Sequence, residues 1–208
     1  MLISHKYKFA WYHIPKTSGT WMRDILFTID PDIQEFKRIL SKPGDPNHPV
    51  YCWHVSLRYL QKDPLYEKIK SYKFFAVIRN PIDRHVSAYN MIMKDSHYVY
   101  YNKDEKGWSF YEYVAHMNRY DISQINWLKD VNGVVPPNIK IIIYENQMNE
   151  LKEWFNLLGI GEEHDLEKIL NRPPLNVSTK TIVKSQLNYD KLKKHILLEE
   201  MLFYLWCV

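Results

Sequence analysis

Three groups of residues combine side-chain types and spacings suited to chemistry on an anion. The first is His13-Ile14-Pro15-Lys16-Thr17-Ser18-Gly19-Thr20-Trp21, set between the apolar run Phe9-Ala10-Trp11-Tyr12 and a helix-forming segment that begins at Met22. A strand that passes through a short Ser/Thr/Gly loop into a helix aims orphan backbone N–H groups and the positive end of a helix dipole at one spot, which suits a phosphate. Lys16 adds a full charge there, and the hydroxyls of Thr17, Ser18 and Thr20 add donors. The plainer alternative is that Thr17 or Ser18 only caps the helix. The nucleoside-triphosphate loop G-x-x-x-x-G-K-S/T is not the pattern here, because Lys16 stands three residues before the loop's single glycine and no glycine lies upstream.

The second group is Arg79-Asn80-Pro81-Ile82-Asp83-Arg84-His85-Val86-Ser87-Ala88-Tyr89. Asn80 suits an N-cap, Pro81 the first helical position and Asp83 the third. Helical spacing puts Ile82, Val86, Tyr89 and Met93 on one face and Asp83, Arg84, Ser87 and Asn90 on another, so Ser87 is expected to be displayed with Arg84. An ordinary ion pair for Arg79 and a surface role for Ser87 are the plainer alternative. The third group is a single side chain. Of nine histidines, His54 sits near the end of the apolar run Val50–Val55, where it would face the same sheet edge as Lys16, and histidine titrates near neutral pH. A hydrogen-bonded histidine at a strand end is the bland counterpart.

The elements that must position these groups read as one α/β unit. The 208 residues, 46% apolar and 25% charged, fit a single domain over residues 1–208 with a sizeable core. Phe9–Tyr12, Val50–Val55, Lys73–Ile78 and Asn138–Tyr144 read as strands, and Lys73–Ile78 is apolar enough to be buried on both faces of a parallel sheet. Helices are expected over Pro64–Lys70, from Pro81, over Trp108–Asn118, over Ile122–Leu128, and after Tyr144 with Met148, Leu151, Phe155 and Leu158 on one stripe and Gly159 as its stop. Core packing is the expected role of the aromatic residues in Trp108–Asn118 and Ile122–Leu128. Residues 30–49 carry Pro31, Pro43, Gly44, Pro46 and Pro49 and read as an irregular loop after a short helix at Gln34–Leu40. Residues 94–107 read as a loop over the site, and the tail from Asp190 as an amphipathic helix.

Net charge of +4 suits an anionic ligand and falls short of a nucleic-acid-binding stripe. Cys52 and Cys207 imply no disulfide framework. With no secretory leader and no spanning segment read in the sequence, the expectation is a cytoplasmic protein.

The order P-K-T-S-G-T-W resembles the 5′-phosphosulfate loop of sulfotransferases, and R-x-P-x-x-R-x-x-S-x-Y is similar to their 3′-phosphate motif, supplied here by Arg79, Pro81, Arg84, Ser87 and Tyr89. The two motifs follow the first and third expected strands in that family's order. The segment Ile143-Tyr144-Glu145-Asn146 to Leu158-Gly159 looks like a further region of the carbohydrate (Golgi-type) sulfotransferases, to which, with their small soluble bacterial-type relatives, the chain is most similar. The resemblance implies a central, mainly parallel sheet of four or five strands flanked by helices, with a nucleotide-kinase-like layout. It also implies transfer of a sulfuryl group from 3′-phosphoadenosine 5′-phosphosulfate (PAPS) to a hydroxyl or amine, leaving adenosine 3′,5′-bisphosphate, with no metal.

On that resemblance Lys16 and His54 are catalytic. Lys16, Thr17, Ser18, Gly19, Thr20, Trp21, Arg79 and Ser87 hold the nucleotide, with Trp21 stacking on adenine or simply packing in the core. Asn176, Ser178 and Lys180, in an L-N-x-S segment, are secondary nucleotide contacts. The base role of His54 comes from the similarity of Trp53-His54-Val55-Ser56-Leu57 to the G-H segment of the carbohydrate-type enzymes, with Trp53 in place of the glycine. Glycan, lipid and small-molecule acceptors are all open. A kinase of related layout and a non-catalytic nucleotide-binding module are the rival readings.

Overall fold

The computed structural model describes residues 1–42, 45–52, 54–94, 109–117, 123–173 and 198–208. Its centre is a five-stranded sheet built from β1 (Leu2–Ser4), β2 (Phe9–Tyr12), β3 (Gln34–Glu35), β6 (Lys73–Ile78) and β7 (Ile139–Ile143), in the order β3-β1-β2-β6-β7. β2, β6 and β7 run parallel, with Trp11 beside Phe75 and Val77 beside Ile142, while β1 is antiparallel to both β2 and β3. The three parallel strands therefore end on one edge, and the chain leaves that edge at His13, Arg79 and Tyr144. Open α/β sheets bind their ligands there.

Side-chain alternation sorts the core into two faces. Phe9, Trp11, Phe75, Val77 and Ile142 pack with Trp21, Met22, Ile25, Leu26 and Ile29 of α1 (Gly19–Ile29). The same cluster takes in Leu151 and Phe155, and Leu166, Ile169 and Leu170. Ala10, Tyr12, Phe74, Ala76 and Ile78 face the other way, onto α2 (Leu57–Leu60), α3 (Leu65–Ile69) and the C-terminal helix Leu198–Cys207 through Phe203 and Tyr204. The other α-helices among the described residues are α4 (Pro81–Lys94), α5 (Phe110–Met117), α6 (Gln124–Leu128), α7 (Gln147–Leu157) and α8 (Leu166–Leu170). The α/β class with helices on both faces of a central sheet is thus as the sequence implies.

Four expectations change. β1 was not foreseen: its three residues return through a turn in which Lys8 takes the left-handed conformation (φ 55), too short a run to announce itself by pattern. The helix expected at Gln34–Leu40 is instead β3 and the start of β4 (Arg38–Lys42). Among the described residues β4 pairs only with β5 (Asp45–Cys52), as a separate antiparallel ribbon. Pro46 and Pro49, both in β5, are tolerated because each strand of a two-stranded ribbon is an edge, where a missing N–H need not break a ladder. The strand expected at Val50–Val55 therefore does not lie beside β2, whose neighbours are β1 and β6. Finally, Arg84 and Asn90 are buried rather than displayed, because α4 is covered by α5 and by the C-terminal helix.

Other boundaries hold closely. Asn80 caps α4, its Oδ1 accepting the Ile82 N–H at 3.0 Å, and Gly159 sits just past α7 at φ 75. The loop at 94–107, Trp53, the segment with Asn176, Ser178 and Lys180, and residues 190–197 of the expected tail helix lie outside the described residues, Lys94 excepted.

Candidate functional site

The loop between β2 and α1 is built by two left-handed residues, Lys16 (φ 68) and Ser18 (φ 67), on either side of Thr17. Each non-glycine residue held there costs on the order of 1 kcal/mol, so the loop must be fixed by its surroundings. Two hydroxyls do so. Thr17 is fully buried and donates through Oγ1 to the Ile14 carbonyl at 2.9 Å. Ser18 donates to Gln147 Oε1 of α7 at 2.7 Å and makes no side-chain cap on α1. The hydroxyls of Thr17 and Ser18 thus shape the loop instead of adding donors for an anion, and Thr20 is the exposed one of the three. With no side-chain cap, the N–H groups of Gly19, Thr20 and Trp21 have no acceptor among the described residues. They are a helix terminus prepared for an anion.

Gly19 is required by the packing of this corner. A Cβ there would lie 1.7 Å from Nε2 of His13, whose ring is stacked on Trp11. Gly19→Ala is expected to destabilise the fold by about 1–3 kcal/mol through overpacking. Denaturant unfolding should show that penalty shrinking in a His13→Ala background, and an equal penalty in both backgrounds would contradict the contact.

Arg79 enters the site from the end of β6. Its backbone is gripped by the buried side chain of Gln124 on α6: the Arg79 N–H donates to Oε1 and Nε2 donates to the Arg79 carbonyl, both at 2.8 Å. The next amide, that of Asn80, donates to Glu145 Oε1 at 3.0 Å. The guanidinium lies over the Tyr144 ring, Cζ 4.3 Å from its centroid, a cation–π contact. Nη1 approaches the Lys16 carbonyl at 3.5 Å, so the two motifs, more than 60 residues apart, meet.

Lys16 reaches across to α4, its Nζ 3.2 Å from the Met91 sulfur. Burial, and then the Arg79 charge, push its ammonium below the usual lysine range. Among the described residues neither Lys16 nor Arg79 has a carboxylate partner, and Arg79 Nε is buried without an acceptor. Two adjacent cations without a carboxylate partner among the described residues, beside an open helix N-terminus, are chemically suited to a polyanion.

His54 arrives by a route other than the one the sequence suggests. It follows the β4–β5 ribbon, and its Nδ1 bonds the backbone carbonyl of His13 at 2.8 Å. A carbonyl only accepts, so Nδ1 carries the proton and Nε2 the lone pair of the neutral ring. The ring also meets His13, centroids 4.3 Å apart, and the edge of Trp127 on α6 at 6.1 Å. Burial, and then His54, hold His13 well below the usual histidine range, so it stays neutral beside Lys16.

The sequence model described as "Sulfotransferase family" matches residues 1–173. The chain belongs to the sulfotransferase family. No curated protein and no solved structure gives a significant match.

For this sulfotransferase the structure brings Lys16, the loop amides, Arg79 and His54 to one sheet edge. Ser87 lies half-buried on α4. Trp21 is only 5% exposed, packs in the core and donates to the Arg172 carbonyl at 3.1 Å, which is the core-packing alternative for that residue. Asn176, Ser178 and Lys180 lie outside the described residues. The sequence reading missed Gln124, Gln147, Met91 and Trp127. Gln124, Met91 and Trp127 belong to no motif, Gln147 lies in the Ile143–Gly159 segment without being singled out, and a short helix such as α6, with its tryptophan, reads as plain core. Among the described residues no helix is long and apolar enough to cross a membrane, and no group of three or more metal-ligating side chains is found.

Proposed function

We propose that this sulfotransferase uses PAPS as donor, with the 5′-phosphosulfate end on the Lys16–Trp21 loop and the 3′-phosphate on Arg79 and Ser87. The observation that carries the reading is the meeting of Lys16 and Arg79 beside the open N-terminus of α1, with no carboxylate partner among the described residues. The buried, unpartnered Nε of Arg79 and the uncapped α1 amides are what a ligand with separate phosphate groups would satisfy. The donor supplies an activated sulfuryl group and a bisphosphate leaving group.

The chain's own residues do the rest. Lys16 and the amides of Gly19, Thr20 and Trp21 hold negative charge at the loop, where it grows during transfer, without reorganising. Arg79 fixes the far phosphate so that binding energy orients the reacting end. His54, protonated on Nδ1, accepts the acceptor's proton at Nε2. A glycan, lipid or small-molecule hydroxyl serves equally as acceptor in this scheme, and no divalent metal takes part.

Adenosine 3′,5′-bisphosphate is expected to raise the melting temperature more than ATP or AMP does, because it alone occupies both phosphate positions. At 100 times its dissociation constant it stabilises by about 2.7 kcal/mol. Equal shifts for the three nucleotides in a thermal denaturation series would sink the donor assignment.

A further inference from the structure

Arg79 stands one step beyond the last ladder pair of β6 with β7, Ile78 beside Ile143. Past that point a neighbouring strand no longer fixes the main chain, yet Arg79 is the side chain that must be held still for an anion. The carboxamide of Gln124 takes the place of the missing strand. It accepts from the Arg79 N–H and donates to the Arg79 carbonyl, 2.8 Å each, from a fully buried position on α6. The opposite polarity of the two partners also fixes which way the amide points. Glu145 holds the next N–H and Tyr144 supports the guanidinium from below, so backbone and side chain are gripped separately.

We propose that Gln124 is a positioning residue for the donor's 3′-phosphate: it acts through Arg79, setting the angle at which the guanidinium leaves the sheet, without touching the ligand. This rests on the proposed donor and adds to it a selective role for α6. Loss of the clamp leaves a part-buried N–H and a part-buried carbonyl unpaired and frees the Arg79 backbone, so the anchor is blurred while the Lys16 loop keeps its own supports, Gln147 and the Ile14 carbonyl.

Isothermal titration of the full chain with adenosine 3′,5′-bisphosphate and with adenosine 5′-monophosphate tests this. Q124L is expected to weaken the bisphosphate by about tenfold or more and the monophosphate by less than about twofold. In an R79A background, Q124L should add less than about twofold, because the two act as a unit. Should Q124L fold poorly, Q124E carries the test. A protonated carboxyl restores both bonds and an ionised one cannot donate, so its bisphosphate affinity relative to wild type should fall as pH rises. Equal weakening of both nucleotides, additivity with R79A, or a pH-independent ratio for Q124E would overturn the clamp. A wild-type protein that does not distinguish the two nucleotides would instead overturn the donor assignment, and the clamp's role with it.

Discussion

Replacing Lys16 with alanine is expected to reduce turnover by about 100- to 1,000-fold, the range found when one preorganised donor is removed from a developing negative charge. The fold should survive. Lys16 is held below the usual lysine range by burial and by Arg79, so its proton is bound less tightly in the folded chain than in the unfolded one. The resulting penalty is fully present below the folded-state pKa and fades as pH rises toward the unfolded value, so removing the ammonium at neutral pH does not destabilise through charge. An anion in the site reverses the same penalty. Lys16→Ala should therefore lose nucleotide affinity as well as rate. A variant with unchanged turnover would mean that Lys16 only packs against Met91.

Replacing His54 with alanine is expected to lower turnover by about 100- to 10,000-fold while leaving bisphosphate affinity nearly unchanged. The hydrogen bond from Nδ1 to the His13 carbonyl sets the tautomer, and that carbonyl belongs to the first residue after β2. The base is thereby tied to the same backbone that leads into the Lys16 loop. His13 is the poorer choice, since its ring is packed against Trp11 and the α1 N-terminus and is kept neutral by burial. Steady-state kinetics with any working acceptor separates the outcomes: a normal rate for the His54 variant would remove it from the mechanism, and a large loss of bisphosphate affinity would make it a structural residue.

Much of the fold was legible because burial on both faces of a parallel strand leaves a continuous apolar run, as in Lys73–Ile78, and because Asn80-Pro81 marks a helix start through its backbone chemistry. The site loop was legible for the same local reason. What escaped was set by distant partners. β1 and β3 are two or three residues long and owe their form to pairing, and the β4–β5 ribbon keeps its strands despite proline because neither strand needs a second neighbour. Trp21 carries the composition of a stacking residue, but its neighbours in the core and the Arg172 carbonyl decide where it sits. Gln124 is the strongest case: nothing about a glutamine opening a five-residue helix announces two bonds to a backbone 45 residues away.

The central claim is that one sheet edge holds two separate phosphate positions, one on Lys16 and one on Arg79. Its most direct test is a titration of wild type, K16A and R79A with adenosine 3′,5′-bisphosphate, adenosine 5′-monophosphate and adenosine 3′-monophosphate. The bisphosphate should bind wild type most tightly, R79A should erase the advantage conferred by the 3′-phosphate alone, and K16A should erase that of the 5′-phosphate alone. If the 3′-phosphate adds nothing to affinity, or if both variants weaken all three nucleotides equally, the two-position site is wrong.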